Sequence, residues 1–170
     1  GFEALPDFDA EAWARVKAEE DAKIVPLEPG LIAGSDIDAQ AVTAARANIA
    51  RTPFAGKLPI GRADFRELEG PYTGSVIVVN PPYGTRIGAD GSTGAGSEAK
   101  PGDDPALHKL YQDFGYFLKM RCAGARACAL FPDPAYEKDV WFKPLRGMWL
   151  DNGALSVRAN VYEVTVSAPR

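Results

Sequence analysis

The chain has 170 residues, 46% hydrophobic and 25% charged, with a net charge of -4, a balance that fits one soluble globular domain with a sizeable core. That charge argues against a free-standing nucleic-acid binder, so any nucleic-acid substrate has to be held by local patches or a separate domain. Two cysteines make no disulfide framework or zinc pattern, and one histidine leaves no room for a histidine metal site or a Ser-His-Asp triad. No apolar run reaches the roughly 20 residues of a membrane span, and no signal-like apolar start is present, which places the expected location in the cytoplasm.

Residues 9–22 begin with acids and carry Trp13 and Val16 at helical spacing, predicting a helix capped by Asp7 or Asp9. Residues 31–36 read as a short strand ending on Asp36. Asp38 then caps a helix whose small residues Ala41, Ala44, Ala45 and Ala47 suit close packing on a sheet, and which ends by Pro53. A second short strand is expected around 58–61, followed by Asp64-Phe65 and a turn at Glu69-Gly70-Pro71.

The run Val76-Ile77-Val78-Val79 has no polar alternation and reads as a strand buried on both faces, as in a parallel sheet. Asn80-Pro81-Pro82-Tyr83-Gly84 follows at once. Prolines cannot donate to a ladder, and the residue before a proline is held extended, so the strand stops at Asn80 and a rigid rim follows. Open α/β sheets bind ligands at such carboxyl ends.

Residues 88–104 are rich in glycine and acids and read as a flexible surface loop. Residues 107–121 predict an amphipathic helix through Leu107, Leu110, Tyr111, Phe114, Phe117 and Leu118, ended by Gly124, and 125–131 another buried strand. Two strands, about 148–150 and 155–166, are joined at Asp151-Asn152-Gly153, a hairpin signal. The pattern is α/β: a mostly parallel sheet with an antiparallel carboxyl-terminal hairpin.

Three strand ends each carry a polar group: Asp36, Asp64 with Phe65, and Asn80. An acid at a strand end can hold ribose hydroxyls, a second can accept from an adenine amine, and Phe65 offers a ring face. Each has a plainer reading, as a loop acid, a turn or cap residue, or a core aromatic. The ordered triple is more specific than any member. Arg86 reads as a phosphate contact or a surface ion pair. Trp141, Lys143 and Arg146 form an aromatic-basic cluster, read as a substrate contact or as ordinary packing.

The strings Gly34-Ser35-Asp36-Ile37-Asp38, Ala63-Asp64-Phe65 and Asn80-Pro81-Pro82-Tyr83 resemble the successive motifs of class I S-adenosylmethionine-dependent methyltransferases acting on exocyclic amines. NPPYGTRIG, LHKLYQDFGYFLK and DNGALSVRANVYE narrow the resemblance to bacterial large-subunit ribosomal RNA guanine-N(2) methyltransferases that carry a THUMP domain, a group also described as adenine-specific DNA methylases. The resemblance implies a Rossmann-like fold and S-adenosyl-L-methionine as cofactor. It implies that Asp36 holds the cofactor ribose and Asp64 its adenine amine, with Ile37 or Phe65 on the adenine ring. Asn80 and the Pro81 carbonyl would accept from the target amine, with Pro82 completing the rim and Tyr83 stacking on the base.

Two alternatives stand beside guanine methylation of ribosomal RNA: an adenine-amine DNA methyltransferase, and a catalytically silent nucleic-acid-binding scaffold. No metal is implied. The first strand and glycine-rich cofactor loop of the family have no match here. The chain is therefore expected to be the carboxyl-terminal part of one methyltransferase domain, residues 1–170, completed by an upstream segment with the first strand and a THUMP domain. Residues 22–27 are the one candidate to fill the gap, and Pro26 counts against them.

Overall fold

A computed structural model describes residues 1–83, 102–152 and 155–165. Gly84, Arg86, most of the glycine-rich loop and Gly153 lie outside the described residues. The chain divides into two units, Gly1–Arg62 and Ala63–Arg170.

The first unit opens with a 3-10 turn, Phe2–Ala4, and helix α1, Ala10–Asp21. Asp9 caps α1 by accepting from the amides of Glu11 and Ala12, at 3.0 and 2.9 Å. Trp13 meets the edge of Phe2 with ring centroids 4.8 Å apart. Strand β1, Gly34–Asp36, pairs in parallel with β2, Ile60–Arg62, and helix α2, Ala39–Ile49, connects them. Such a crossover is the unit from which parallel sheets are built.

Helix α2 begins as expected, with the Asp38 carboxylate accepting from Gln40 N at 2.8 Å. The alanine stripe differs from its expected role. Val42 is the buried residue, Ala41 and Ala45 are half-buried, and Ala44 and Ala47 are exposed. A two-stranded sheet is too narrow to cover more than part of a helix face. Residues 22–27 form no strand, and β1 has β2 as its sole ladder partner among the described residues.

The second unit holds the core. Its sheet has the order β3-β4-β6-β5, with β3 Val76–Val79, β4 Arg126–Phe131, β5 Arg146–Asn152 and β6 Leu155–Glu163. β3 and β4 are parallel, while β4–β6 and β5–β6 are antiparallel. The hairpin pairs Asn152 with Leu155. Its connection is therefore one residue later than an Asn152-Gly153 centre would make it.

Helix α3, Pro105–Arg121, joins β3 to β4 and covers one face. Its start is two residues earlier than the apolar pattern suggests, because Asp104 caps it and Pro105 occupies the first turn, where a missing N–H costs nothing. Leu107, Tyr111, Phe114, Phe117 and Leu118 are buried, as the helical spacing predicts, against Ala127, Ala129, Phe131 and Tyr162 of the sheet. A 3-10 helix, Pro134–Val140, has no counterpart in the sequence reading, since seven residues are too few for a periodic signal.

One expectation is overturned. β3 is not buried on both faces: Ile77 and Val79 pack into the core, whereas Val76 and Val78 are 75% and 74% exposed. α3 covers one face of β3, and among the described residues its outer edge has no ladder partner. Burial of the second face is set by what packs there, which a run of β-branched residues does not encode. No helix among the described residues is long and apolar enough to cross a membrane.

Candidate cofactor and amine site

In the first unit, β1 delivers Asp36 and Ile37. Asp36 is exposed, and its Oδ1 accepts from Asp38 N at 2.8 Å, fixing the turn that leads into α2. Each carboxylate oxygen has two lone pairs, so this bond leaves acceptor capacity for two hydroxyls. Ile37 is 58% exposed, and its carbonyl is held by Arg62 Nε at 3.0 Å. An open carboxylate beside an open aliphatic side chain, on a fixed backbone, suits a ribose next to a purine.

In the second unit, Asp64 caps the short 3-10 helix Phe65–Glu67 through Arg66 N at 3.0 Å. Its carboxylate also takes a bidentate guanidinium, with Arg66 Nε at 2.9 and 3.0 Å and Nη2 at 2.7 Å. The hydrogen bond from the Arg66 side chain holds the Asp64 carboxyl below its ordinary range, against the opposing effect of burial. Arg66 reaches on to Asp113 of α3, which also pairs with Lys109. Asp64 is thus an ionised acceptor already engaged with a cation.

Phe65 lies edge-on to Phe114 and Phe117, with centroids 6.1 and 5.8 Å apart. That contact commits much of the ring to α3. The sequence left Phe65 and Ile37 as alternatives for a purine face, and exposure favours Ile37.

The rim stands at the carboxyl end of β3. Asn80 and Pro82 are exposed, while Pro81 and Tyr83 are half-buried. The Tyr83 hydroxyl donates to Asn80 Oδ1 at 2.6 Å, fixing the carboxamide plane. Tyr83 lies near Tyr111, whose phenol is pushed far up by burial and secondarily by the phenols of Tyr83, Tyr136 and Tyr162. Tyr111 stacks on Phe131 and Tyr136 at 4.7 and 5.6 Å and donates to the Leu130 carbonyl at 2.8 Å. Cys122 is not set up as a nucleophile, since burial pushes its thiol up to about 11.

Sequence reasoning missed a polar cluster on β6. Arg158, Asn160 and Tyr162 alternate with apolar residues and so share one face. Asn160 is fully buried and donates to Glu137 Oε2 at 2.8 Å. The polar-apolar alternation of 158–162 was the available signal, but it does not distinguish a solvated face from a buried one.

The UPF0020 model, described as an RMKL-like methyltransferase domain, matches residues 3–95, more than half of the chain. The chain is 29% identical over 168 residues to a candidate RNA methyltransferase of Synechocystis, covering 96% of this chain and 39% of that protein. It is 30% identical over 174 residues to the ribosomal RNA large subunit methyltransferase K/L of Aliivibrio fischeri, covering 99% of this chain and 23% of that protein. Among solved structures, a possible methylase of Clostridium difficile is similar with a TM-score of 0.71 at 21% identity, covering 99% of this chain and 40% of that one. SMU.472, a candidate methyltransferase crystallised with SAH, is similar with a TM-score of 0.69 at 23% identity and the same coverages. The chain spans less than two fifths of each curated relative cited, and the α/β architecture is that of these methyltransferases. On the match over residues 3–95, the chain belongs to the UPF0020 family of RMKL-like methyltransferase domains.

Proposed function

We propose that this chain is the carboxyl-terminal part of a cytoplasmic methyltransferase domain that modifies the exocyclic N(2) amine of a guanine in large-subunit ribosomal RNA, with S-adenosyl-L-methionine as methyl donor. The observation that carries the reading is the rim: an exposed asparagine at a strand end, its carboxamide fixed by Tyr83, followed by two prolines. The names of the RNA and ribosomal RNA methyltransferase relatives support RNA over DNA, and the first strand and a THUMP domain in an upstream segment belong to the same proposal.

The cofactor, when bound, supplies an electrophilic methyl on a sulfonium. Asp36 and Ile37 fit its nucleoside part, the carboxylate accepting from ribose hydroxyls and the aliphatic side chain covering the purine. Asp64 contributes an acceptor for the purine amine while it shares its oxygens with Arg66. Asn80 Oδ1 and the Pro81 carbonyl accept the two protons of the target amine. Those bonds draw the nitrogen lone pair out of conjugation with the base and aim it at the methyl group. An aromatic amine is a poor nucleophile, so orientation and lone-pair localisation are the protein's main contributions. Pro81 and Pro82 carry no N–H that would compete for the amine. Tyr83 stacks on a base that has left its helical stack. The proton leaves after transfer, once the methylated amine has become acidic, so no histidine base is required.

The test is transfer of labelled methyl to unmodified ribosomal RNA by the full-length protein, followed by nucleoside analysis. N(2)-methylguanosine is the expected product. N(6)-methyladenine in DNA would replace this reading with the DNA alternative. Near wild-type turnover by Asn80→Ala would overturn the role of the rim.

A further inference from the structure

The buried polar cluster on β6 does not belong to the proposed amine site, yet it faces the same end of the sheet. In register, Val79, Ala129, Asn160 and Gly147 form one row across the four strands. The next row on that face is Phe131, Arg158 and Trp149. Since β3 and β4 are parallel and Val79 pairs with Ala129, the position level with Phe131 is Pro81. Arg158 and Trp149 thus stand level with the rim, with Trp149 three strand spacings from it, about 14 Å.

The Arg158 guanidinium carbon lies 5.6 Å from the centre of the Trp149 ring. Trp149 is nevertheless 54% exposed, so the ring is not consumed by packing. Two groups hold the guanidinium there: Asn160 Oδ1, 3.4 Å from Nε, and Glu137 Oε1, 3.3 Å from Nε. Among the described residues, Glu137 Oε1 is buried and has no well-aligned hydrogen bond. The terminal Nη groups of Arg158 donate to no described residue. Gly147 makes room for the arrangement, since a Cβ there would overlap Asn160 Oδ1 and stand 3.2 Å from Arg158 Nη2. A buried amide and a half-buried carboxylate, admitted by a glycine, aim one arginine across one exposed tryptophan.

We propose that Trp149 and Arg158 form a contact for a nucleotide flanking the target base in a single-stranded nucleic acid. The ring stacks on the flanking base and the guanidinium Nη groups meet a phosphate, with Glu137 and Asn160 as positioning residues. The chemistry fits: every base offers a face for stacking, arginine adds a cation–π component, and phosphate takes charged donors. The inference rests on the reading that the rim methylates a nucleic-acid base.

The experiment uses the full-length protein, a labelled single-stranded RNA containing guanines and the matching DNA, with binding followed by anisotropy over a salt series. Trp149→Ala should weaken binding to the RNA roughly ten-fold or more, and Trp149→Phe should restore most of it. Arg158→Gln should weaken binding and reduce the salt slope by about one. In methyl transfer both losses should fall on KM rather than kcat. A similar loss on RNA and DNA supports a contact to base and phosphate, and a loss confined to RNA supports one that also senses the 2′-hydroxyl. If Trp149→Ala and Arg158→Gln bind and methylate as wild type does, the inference is overturned and the function stands. If wild type binds S-adenosylhomocysteine but neither binds nor methylates nucleic acid, the functional reading fails, and the inference fails with it.

Discussion

Gly115 of α3 lies directly beneath the carbonyl of Val140: a Cβ at position 115 would come within 2.5 Å of that oxygen. Helix and 3-10 segment meet here through backbone, with no flexible side chain that could swing aside. Val140 is fully buried, and the residue after it, Trp141, is forced to a left-handed φ of 62°. Gly115→Ala should therefore destabilise the second unit by about 1–3 kcal/mol, the usual cost of overpacking a core. Urea unfolding should display this as a lower midpoint with an unchanged slope. An unchanged midpoint would mean that the 3-10 segment shifts freely away from α3.

His108 should make stability depend on pH. Its Nδ1 lies 2.5 Å from Asp139 Oδ2 and its Nε2 lies 3.0 Å from the Gly102 carbonyl. Both partners are acceptors, so the ring satisfies both as imidazolium. The Asp139 hydrogen bond raises the pKa above 6.5, desolvation opposes it, and the Gly102 carbonyl and the charges of Asp139 and Asp103 add to the rise. A raised folded-state value stabilises the protein fully below pH 6.5, and that contribution is lost as pH climbs through the folded value. Stability should fall over that window, and His108→Ala should flatten the fall. Because His108 is the chain's one histidine, its ring signals in an NMR titration identify the group without ambiguity.

Tyr83→Phe separates orientation of the rim from stacking. The variant keeps the ring and removes the 2.6 Å hydrogen bond that fixes Asn80. Turnover should drop about ten-fold, the size of one well-placed hydrogen bond of about 1.4 kcal/mol, with binding of S-adenosylhomocysteine intact. Tyr83→Ala should lose more, because stacking goes as well. Equal activity of Tyr83→Phe and wild type would remove the hydroxyl from the account.

Gly147→Ala should disturb the β6 cluster from the other side. The new methyl group overlaps Asn160 Oδ1, and Asn160 cannot retreat because it is fully buried between Glu137 and Tyr162. A loss of about 1–3 kcal/mol in thermal or urea unfolding is expected. The tryptophan fluorescence of the folded state should also change as Arg158 leaves Trp149. A silent substitution on both measures would mean that strand β5 moves out to accept the methyl.

Much of this protein is legible in its residues. Asp9 and Asp38 each precede a helix and cap it, because capping depends on neighbours two or three positions away. The spacing of Leu107, Tyr111, Phe114 and Leu118 gives the buried face of α3 for the same reason. Asn80 followed by two prolines determines where β3 ends and leaves a rigid rim, since proline acts on its own backbone and on the residue before it.

Other features were decided in three dimensions. Val76 and Val78 are as apolar as Ile77 and Val79, but their burial depends on which sheet face receives a helix. Phe65 reads as a purine face or a core residue, and its distance to Phe114 and Phe117 decides its principal contacts. Asp64 is chemically an open acceptor until Arg66 closes on it. The pairing of Trp149 with Arg158 joins residues nine positions apart through the hairpin register. Glu137 meets Asn160 through the packing of a short 3-10 helix. Local chemistry determined the caps, the breaks and the polar strand ends; partners distant in sequence determined which faces are buried and which polar groups meet.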